Sequence, residues 1–464
     1  MDVKGKRVLV VGLGKSGIAS ALFLVDHGAR VAVSDTKSAE ELHHEIPLLL
    51  DHGIVVEAGY HGERTFKEQE LIVISPGVPA DVPQLLQARQ AGIPVIGEIE
   101  LAARFLKGQI VAITGSNGKT TTTSLTGKII AADGRDTLVG GNIGTPAISF
   151  VKSATDATWI VLEVSSFQLE TIETFRPKIA VVLNVTPDHL DRHHTFANYA
   201  AAKLRIFENQ SSSDFAVLNA DDTTCASMAN QLKAPAYWFS RQREVERGAF
   251  VRDENIVWRD AGGEKAIMPL TEISLKGAHN VENVLAAVCA GILAGVDPVA
   301  VRRAVTNFKA VEHRLEFVAS IRGVEYYDDS KATNVDATIK ALESFSGGVH
   351  LILGGKDKGS DYSVLNPLLQ ERVKCVYTIG SAAAKIQSQV KGTEVVSAGT
   401  IDNAVRRASE AAVTGDIVLL APACASFDQF VSYEHRGRVF KDLVRQMQAR
   451  EVQTAGSVRA GGKN

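Results

Sequence analysis

Apolar runs of strand length alternate with amphipathic stretches of helix length almost from one end of the chain to the other. This alternation constrains the fold more than any other feature. Runs with charge only at their ends must be buried on both faces, and parallel sheets covered by helices provide that burial. The first region carries KRVLVVG, VAVSD, LIVISPG and IPVIGE, with a helix expected from about residue 16 to residue 27. The second opens with IVAITG at Ile110 and continues through WIVLEV, IAVVLNV and FAVLNAD. Over residues 237–276 the pattern changes to short alternating strands with polar turns (GAFVRDENIVWRD, then KAIMPLTEISL), which predicts a small antiparallel insertion. Helical periodicity returns over residues 280–293 and 298–308. The third region repeats the alternation in GVEYYDD, HLILGG, KCVYTIG, TEVVSAG and DIVLLAP. The expectation is an α/β chain of three domains. These are a Rossmann-like domain over residues 1–97, a central phosphate-loop domain over 98–310 that carries the insertion, and a second Rossmann-like domain over 311–450. Residues 451–464 lack periodicity and are expected to form a disordered tail.

Composition narrows the function classes. Fifty Lys and Arg against fifty-three Asp and Glu give a net charge of −3, so no basic excess recommends nucleic acid or an anionic membrane as a partner. The four cysteines (Cys225, Cys289, Cys375, Cys424) form no CxxC pair, which argues against a zinc knuckle or a disulfide framework and for reduced thiols. The apolar stretch over residues 284–296 is too short to cross ~30 Å of hydrocarbon. The opening MDVKGKRVLVVGLGKSG has an apolar run, but glycines interrupt it and no small-residue cleavage site follows; it reads as a first strand and not as a signal peptide. A soluble cytoplasmic monomer without membrane insertion is expected.

Two glycine turns carry the chemistry. The first, Gly12-Leu13-Gly14-Lys15-Ser16-Gly17, directly follows a buried strand and precedes a helix. Glycines there permit a tight turn, close approach of a diphosphate to the backbone, and close helix–strand packing. The second strand ends at Asp35, near the offset of a ribose-binding acid. Taken alone, these features suit a nicotinamide dehydrogenase, although Asp35 could equally cap a strand–loop turn. The second turn is stronger: Thr114-Gly115-Ser116-Asn117-Gly118-Lys119-Thr120-Thr121 after IVAI and before a helix. Successive backbone N–H groups make a nest for phosphates, Lys119 adds a point charge, and the Thr120 hydroxyl can ligate Mg²⁺. The generic phosphate loop has its first glycine where this chain has Ile113, so only its second half matches.

Groups able to hold a metal stand at the ends of later strands: Glu163 closes WIVLE, and His189 follows IAVVLNV. Asn142 lies in the glycine-rich Gly140-Gly141-Asn142-Ile143-Gly144. Two phosphate-binding turns with magnesium ligands would also fit a small-molecule kinase, or a nucleotide-binding regulator without turnover. No nucleophile elbow, HExxH or CxxC arrangement points to hydrolase or redox chemistry.

Together, GLGKSG, SPG, GSNGKTT, GGNIG, LEVSSFQLE, NVTPDHLDRH, YAAAKLRI, GAHNVENVLAA, EHRLE, DDSKATN, LGGKDKG and APACASFDQF resemble the Mur ligase family, the ATP-dependent amide-forming enzymes of bacterial peptidoglycan and cell-wall synthesis. The resemblance covers residues 5–449, and the shortened loop GSNGKT is the form this family uses. The last three strings are similar to those of the branch that adds D-glutamate to UDP-N-acetylmuramoyl-L-alanine, and the DNPR-type string of the diamino-acid-adding members is absent.

The resemblance implies that the N-terminal domain binds UDP and no nicotinamide. Gly14, Lys15, Ser16, Thr36, Lys37 and Ser75 become candidate contacts of the nucleotide-sugar, with Asn142 and His189. For ATP it implies Gly115, Ser116, Asn117, Gly118, Lys119, Thr120 and Thr121 around the triphosphate, with Asn280, Asn283, Arg314, Asp329 and Lys331. It implies Mg²⁺ held by Thr120, Glu163, His189 and Lys203, the last as a carbamate, and D-glutamate held by Thr333, Lys358, Ser426 and Tyr433. The catalytic set is then Lys119, Glu163, His189 and Lys203. Three positions depart from the family pattern. The acid in Gly354-Gly355-Lys356-Asp357-Lys358-Gly359 is shifted by one place, Tyr433 replaces an aromatic of different polarity, and Ala421 stands where serine is common.

Overall fold

The structure, a computed structural model, describes residues 1–275, 277–309 and 312–460, with side chains described as far as residue 451. The boundary expected between residues 310 and 311 lies outside the described residues. The chain packs as two compact units. The first comprises Met1–Val185, Ala197–Ile273 and Glu282–Phe308; the second comprises residues 186–196 and 274–281 and those from 309 onward.

The first unit contains two sheets. Strands β1 (Arg7–Val11), β2 (Arg30–Asp35), β3 (Val55–Ala58), β4 (Leu71–Ile74) and β5 (Val95–Gly97) form an all-parallel sheet in the order β3-β2-β1-β4-β5. The order reverses beside β1, so a crevice opens at the carboxyl ends of β1 and β4, where ligands of such sheets bind. Gly17, in the helix Lys15–Asp26, explains part of the glycine motif: a Cβ there would lie 1.9 Å from the Gly12 carbonyl oxygen. Helix and strand can therefore approach only without a side chain.

The second sheet holds β6 (Gln109–Thr114), β7 (Thr137–Gly141), β8 (Trp159–Glu163), β9 (Ile179–Val182), β10 (Phe215–Asn219), β11 (Ala236–Ser240), β12 (Gly248–Arg252), β13 (Asn255–Asp260) and β14 (Gly263–Pro269). Its order is β14-β13-β12-β11-β10-β9-β6-β8-β7. The expected insertion is thus no separate body. β11 and β12 continue the parallel sheet, and only β12, β13 and β14 pair antiparallel. The alternating pattern was read correctly as strand, but periodicity does not show which edge a strand joins.

A continuous hydrophobic cluster joins the two sheets, running from Val8, Val10 and Leu24 through Ile99 and Leu101 to Ala112, Leu162 and Val182. The short helix Glu98–Ala103 sits between them and buries two carboxylates. Glu100 accepts the backbone N–H groups of Glu173 (2.8 Å), Thr174 (3.0 Å) and Phe175 (2.9 Å), the Thr174 hydroxyl (2.6 Å) and Arg104 Nε (2.8 Å). Burial alone would raise its pKa; these donors outweigh it and hold the group below the usual carboxylate range.

Glu98 is different. One oxygen accepts the Ile148 N–H at 2.8 Å, while Oε2 is buried without a partner, and burial pushes its pKa up to about 7. A carboxyl whose folded pKa is raised holds its proton better in the folded state. Its contribution to stability is therefore highest below the unfolded value and falls as pH rises to about 7, by on the order of 3 kcal/mol. Glu98→Gln should remove this dependence. Relative to the parent, the variant should gain stability between about pH 5 and pH 8 in chemical denaturation. A constant difference across that range would show that Glu98 does not titrate there.

The second unit contains one sheet: β15 (Glu316–Ile321), β16 (Val324–Asp328), β17 (Val349–Gly354), β18 (Val373–Ile379), β19 (Glu394–Gly399) and β20 (Ile417–Leu420), ordered β15-β16-β20-β17-β18-β19. All neighbours pair parallel except β15 with β16. The final helix, Tyr433–Ala460, continues through residues 451–460, where the sequence reading expected no regular structure. Glu, Gln, Ala and Arg in that stretch are adequate helix formers. Residues 461–464 lie outside the described residues. No described helix is long and apolar enough to cross a membrane.

Candidate functional site

In the first unit, the crevice of the N-terminal sheet is a cleft of about 600 Å³ lined by Gly12, Gly14, Ser16, Asp35, Thr36 and Ser75, among others including Lys15, Lys37 and His61. The helix Lys15–Asp26 starts at Gly14 without a side-chain cap, so its first N–H groups are available to an anion. Two expected residues turn out to shape the loop. The Ser75 hydroxyl donates to the Gly12 carbonyl at 2.8 Å. Asp35 accepts the Leu13 N–H (2.6 Å) and the Lys37 N–H (2.9 Å), so its carboxylate locks the turn; the ribose-binding alternative is not the one this geometry favours.

The phosphate loop joins β6 to the helix Lys119–Ala132, whose N-cap is Gly118 at φ +82°. A Cβ at Gly118 would lie 2.1 Å from Asn283 Oδ1, so both conformation and space demand glycine. Asn184 braces the loop, accepting the Asn117 N–H with its side chain (2.8 Å) and the Ser116 N–H with its carbonyl (3.0 Å). Thr120 donates its hydroxyl to Glu163 Oε2 at 2.7 Å, and Asn142 Nδ2 donates to Glu163 Oε1 at 3.0 Å. Three expected residues, from three segments, are thereby assembled. Glu163 is buried at the carboxyl end of β8, facing the loop.

Two lysines converge on one carbonyl. Lys119 Nζ donates to the Gly115 oxygen at 2.7 Å and to the Ser116 oxygen at 2.9 Å. Lys203 Nζ, on a side chain only 1% exposed, donates to the same Gly115 oxygen at 2.8 Å and lies 4.5 Å from the centre of the Tyr199 ring. The two nitrogens are therefore no more than about 5.5 Å apart. Two ammonium ions that close, one of them buried, repel each other.

The second unit gathers another set. His189, in the left-handed region at φ +52°, follows Asp188, whose carboxylate accepts from Lys358 Nζ (3.0 Å), Asn334 Nδ2 (2.9 Å) and the His189 N–H (2.9 Å). Burial would raise the Asp188 pKa, but the charges of Lys358 and His189 and these hydrogen bonds hold it far below the usual range. Beside them a cleft of about 390 Å³ is lined by Thr186, Asp188, His189, Val335, Asp336 and Lys358 with neighbouring residues. Sequence reasoning quoted Asp188 in the string PDH without giving it a role; its signal was adjacency to His189.

Arg314 and Asp329 are both buried, and among the described residues Arg314 Nε and Asp329 Oδ1 have no hydrogen-bond partner. Burial pushes Asp329 up to about 6, with Arg314 opposing the rise. Lys331 donates to the Tyr433 hydroxyl at 3.1 Å and lies over its ring, while the Tyr433 carbonyl accepts from Ser330 at 2.8 Å. Thr333 follows on the same turn, its N–H bonded to the Lys331 carbonyl, and Ser426 is buried in the loop after β20. Asn280 is buried in this unit near the start of the helix Ala278–Leu293, whereas Asn283 of the same helix belongs to the first unit. Asp357 accepts from Lys385 (2.7 Å), the Tyr362 hydroxyl (2.8 Å) and the Ser360 N–H (3.2 Å). The shifted acid therefore anchors the loop that presents Lys358.

A glycine loop at a helix start beside a buried carboxylate, with a second cleft on the same unit, is an arrangement that α/β enzymes use for phosphorylated ligands. Comparison with known proteins specifies the class. Residues 6–97 match the family described as Mur ligase MurD-like, N-terminal domain; residues 113–291 match the Mur ligase middle domain; and residues 313–424 match the Mur ligase, glutamate ligase domain. A UDP-N-acetylmuramoylalanine--D-glutamate ligase of Koribacter versatilis is 70% identical over 97% of this chain and 100% of its own length. One from Acidobacterium capsulatum is 62% identical over 96% of this chain and 97% of its own. Among solved structures, the UDP-N-acetylmuramate-alanine ligase of Thermotoga maritima covers 96% of this chain and 100% of its own at TM-score 0.59 and 19% identity, a likeness of fold. The chain belongs to the Mur ligase family of ATP-dependent ligases.

Proposed function

We propose that this chain joins D-glutamate to UDP-N-acetylmuramoyl-L-alanine, converting ATP to ADP and phosphate, in peptidoglycan synthesis. The observation that carries the reading is the full-length similarity to D-glutamate ligases, and the geometry above supports it. Carboxylate oxygen is a poor leaving group, so amide formation needs activation. The alanyl carboxylate attacks the γ-phosphorus, an acyl–O–P bond forms, and ADP leaves. The free amine of D-glutamate then attacks the acyl carbon, and phosphate leaves as the C–N bond forms.

The N-terminal cleft takes the UDP moiety on the helix end after Gly14, with Lys15, Ser16, Thr36 and Lys37 around it. Gly115–Thr121 cradle the triphosphate, and Lys119 meets charge developing on the transferring phosphoryl group, work that is chiefly electrostatic and positional. Thr120 and Glu163 are hard oxygen donors beside this loop, a set that fits Mg²⁺, with Lys203 as a carbamate adding another. Bound there, Mg²⁺ supplies charge neutralisation for the phosphates. In the second unit, Lys358, Thr333, Ser426 and Tyr433 hold D-glutamate, and Arg314, Asp329 and Lys331 serve ATP. Lys358 is ion-paired to Asp188, which holds its ammonium beside the cleft that both residues line. The substrates are water-soluble, which suits a cytoplasmic enzyme.

Phosphate release in the presence of UDP-N-acetylmuramoyl-L-alanine, ATP and Mg²⁺ should require D-glutamate, and L-glutamate, L-alanine or diamino acids should not replace it. Equal turnover with L-lysine or meso-diaminopimelate would overturn the assignment.

A further inference from the structure

His61 follows β3 and lines the N-terminal cleft with Asp35 and Thr36. Its surroundings determine which ring nitrogen carries hydrogen. Glu57 Oε2 accepts the Gly62 N–H (3.0 Å) and the Ser34 hydroxyl (2.9 Å), and Oε1 accepts the Thr65 hydroxyl (2.7 Å). Burial would raise its pKa, but these donors keep it lowered and the carboxylate is purely an acceptor. A hydroxyl has one proton, and for Ser34 the Glu57 carboxylate at 2.9 Å is a nearer and stronger acceptor than the Tyr60 carbonyl at 3.3 Å. Toward His61 Nδ1, 2.8 Å away, the Ser34 oxygen therefore offers a lone pair, so Nδ1 bears the hydrogen. Burial lowers the His61 pKa more than Asp35 and Glu57 raise it, which keeps the ring neutral. In a neutral ring with Nδ1–H, Nε2 is an acceptor.

The ring is also held in place. Phe66 meets it edge-on at 5.4 Å, and the His61 carbonyl accepts from Gln84 at 3.0 Å. Among the described residues Nε2 has no hydrogen-bond partner. Asp35, the acid that the sequence pattern favours, already has both oxygens engaged by backbone N–H groups. His61 thus brings to this cleft an oriented acceptor that its neighbours do not use.

We propose that His61 selects the base of the nucleotide substrate, its Nε2 accepting the N3–H of a uracil ring. The proposal rests on the reading of this cleft as the UDP site. Uracil presents a donor at N3, whereas cytosine presents a lone pair there that would face the Nε2 lone pair. Specificity of this kind comes from the mismatch penalty as much as from the bond made.

The test is calorimetric titration of the full-length protein with UDP, CDP and N3-methyl-UDP, using the parent, His61→Ala and His61→Gln. The parent should prefer UDP over the other two by about tenfold, the scale of one hydrogen bond with its mismatch. His61→Ala should weaken UDP binding by a similar factor, and discrimination between UDP and N3-methyl-UDP should collapse. His61→Gln, whose amide oxygen can accept, should recover part of it. A merely structural role would lower affinity for UDP and N3-methyl-UDP alike and leave their ratio intact, which would overturn the proposal. Unchanged UDP binding by His61→Ala would also overturn it while leaving the UDP site in place. Failure of the parent to bind UDP at all would overturn the UDP reading and this proposal with it.

Discussion

Lys119→Ala should lower turnover by on the order of 10²-fold or more, the scale of removing one preorganised contact to charge that develops in the transition state. The side chain now donates to two carbonyls of its own loop, Gly115 and Ser116, contacts that a bound phosphate can replace. Stability should be little changed. The lysine stands at the start of a helix and reaches back to its own loop, so no core position is emptied by its loss. ATP-dependent phosphate release alongside thermal melting separates the two effects. A variant with a near-normal rate would show that Lys119 does not serve the phosphates.

Lys203→Ala should lower activity by about 10- to 100-fold, the range seen when a group supporting a metal site is lost. The Lys203 nitrogen is buried within about 5.5 Å of the Lys119 nitrogen. A neutral amine can take up CO₂: an N–C bond forms, one proton leaves, and the neutral group becomes an anion; counted from the ammonium, two protons are released. Repulsion from Lys119 then turns to attraction, and an oxygen donor appears beside the phosphate loop. Carbamylation should therefore weaken as pH falls. Acetate should partly restore Lys203→Ala by supplying the missing carboxylate, and should not restore Lys203→Arg, whose charge is permanent. Full activity of the alanine variant in carbonate-free buffer without added carboxylate would refute the modification.

Legibility of the chain followed the length scale of each feature. The phosphate loop was readable because its chemistry lies within one contiguous turn, where glycine, lysine and threonine have few other reasons to stand in that order after a strand. Buried central strands such as VHLILG were readable because they are apolar but for one residue, His350. β3, β7 and β15 were not. They lie at or next to sheet edges and include partly exposed residues such as Val55, Val139 and Phe317, so their composition resembles that of loops. The meeting of Lys119 with Lys203, the anchoring of Asp357 by Lys385 and Tyr362, and the Ser34–His61 contact join residues distant in sequence. No spacing rule reveals them. Asp35 shows the converse: its spacing suited a ribose contact, while local backbone geometry gave its oxygens another task.

The helix Glu98–Ala103 has a consequence for selectivity. Its two buried carboxylates tie the sheet that bears the nucleotide cleft to the sheet that bears the phosphate loop, and a shared apolar cluster runs through both. On the function proposed above, this joint sets the interval between diphosphate anchor and phosphoryl donor before any substrate arrives. The first unit behaves as a caliper of set opening. A nucleotide-sugar whose acyl arm is one residue too long or too short can be gripped at its diphosphate and still fail to bring its carboxylate to the γ-phosphate, so length is measured by rigid spacing and not by contacts along the arm.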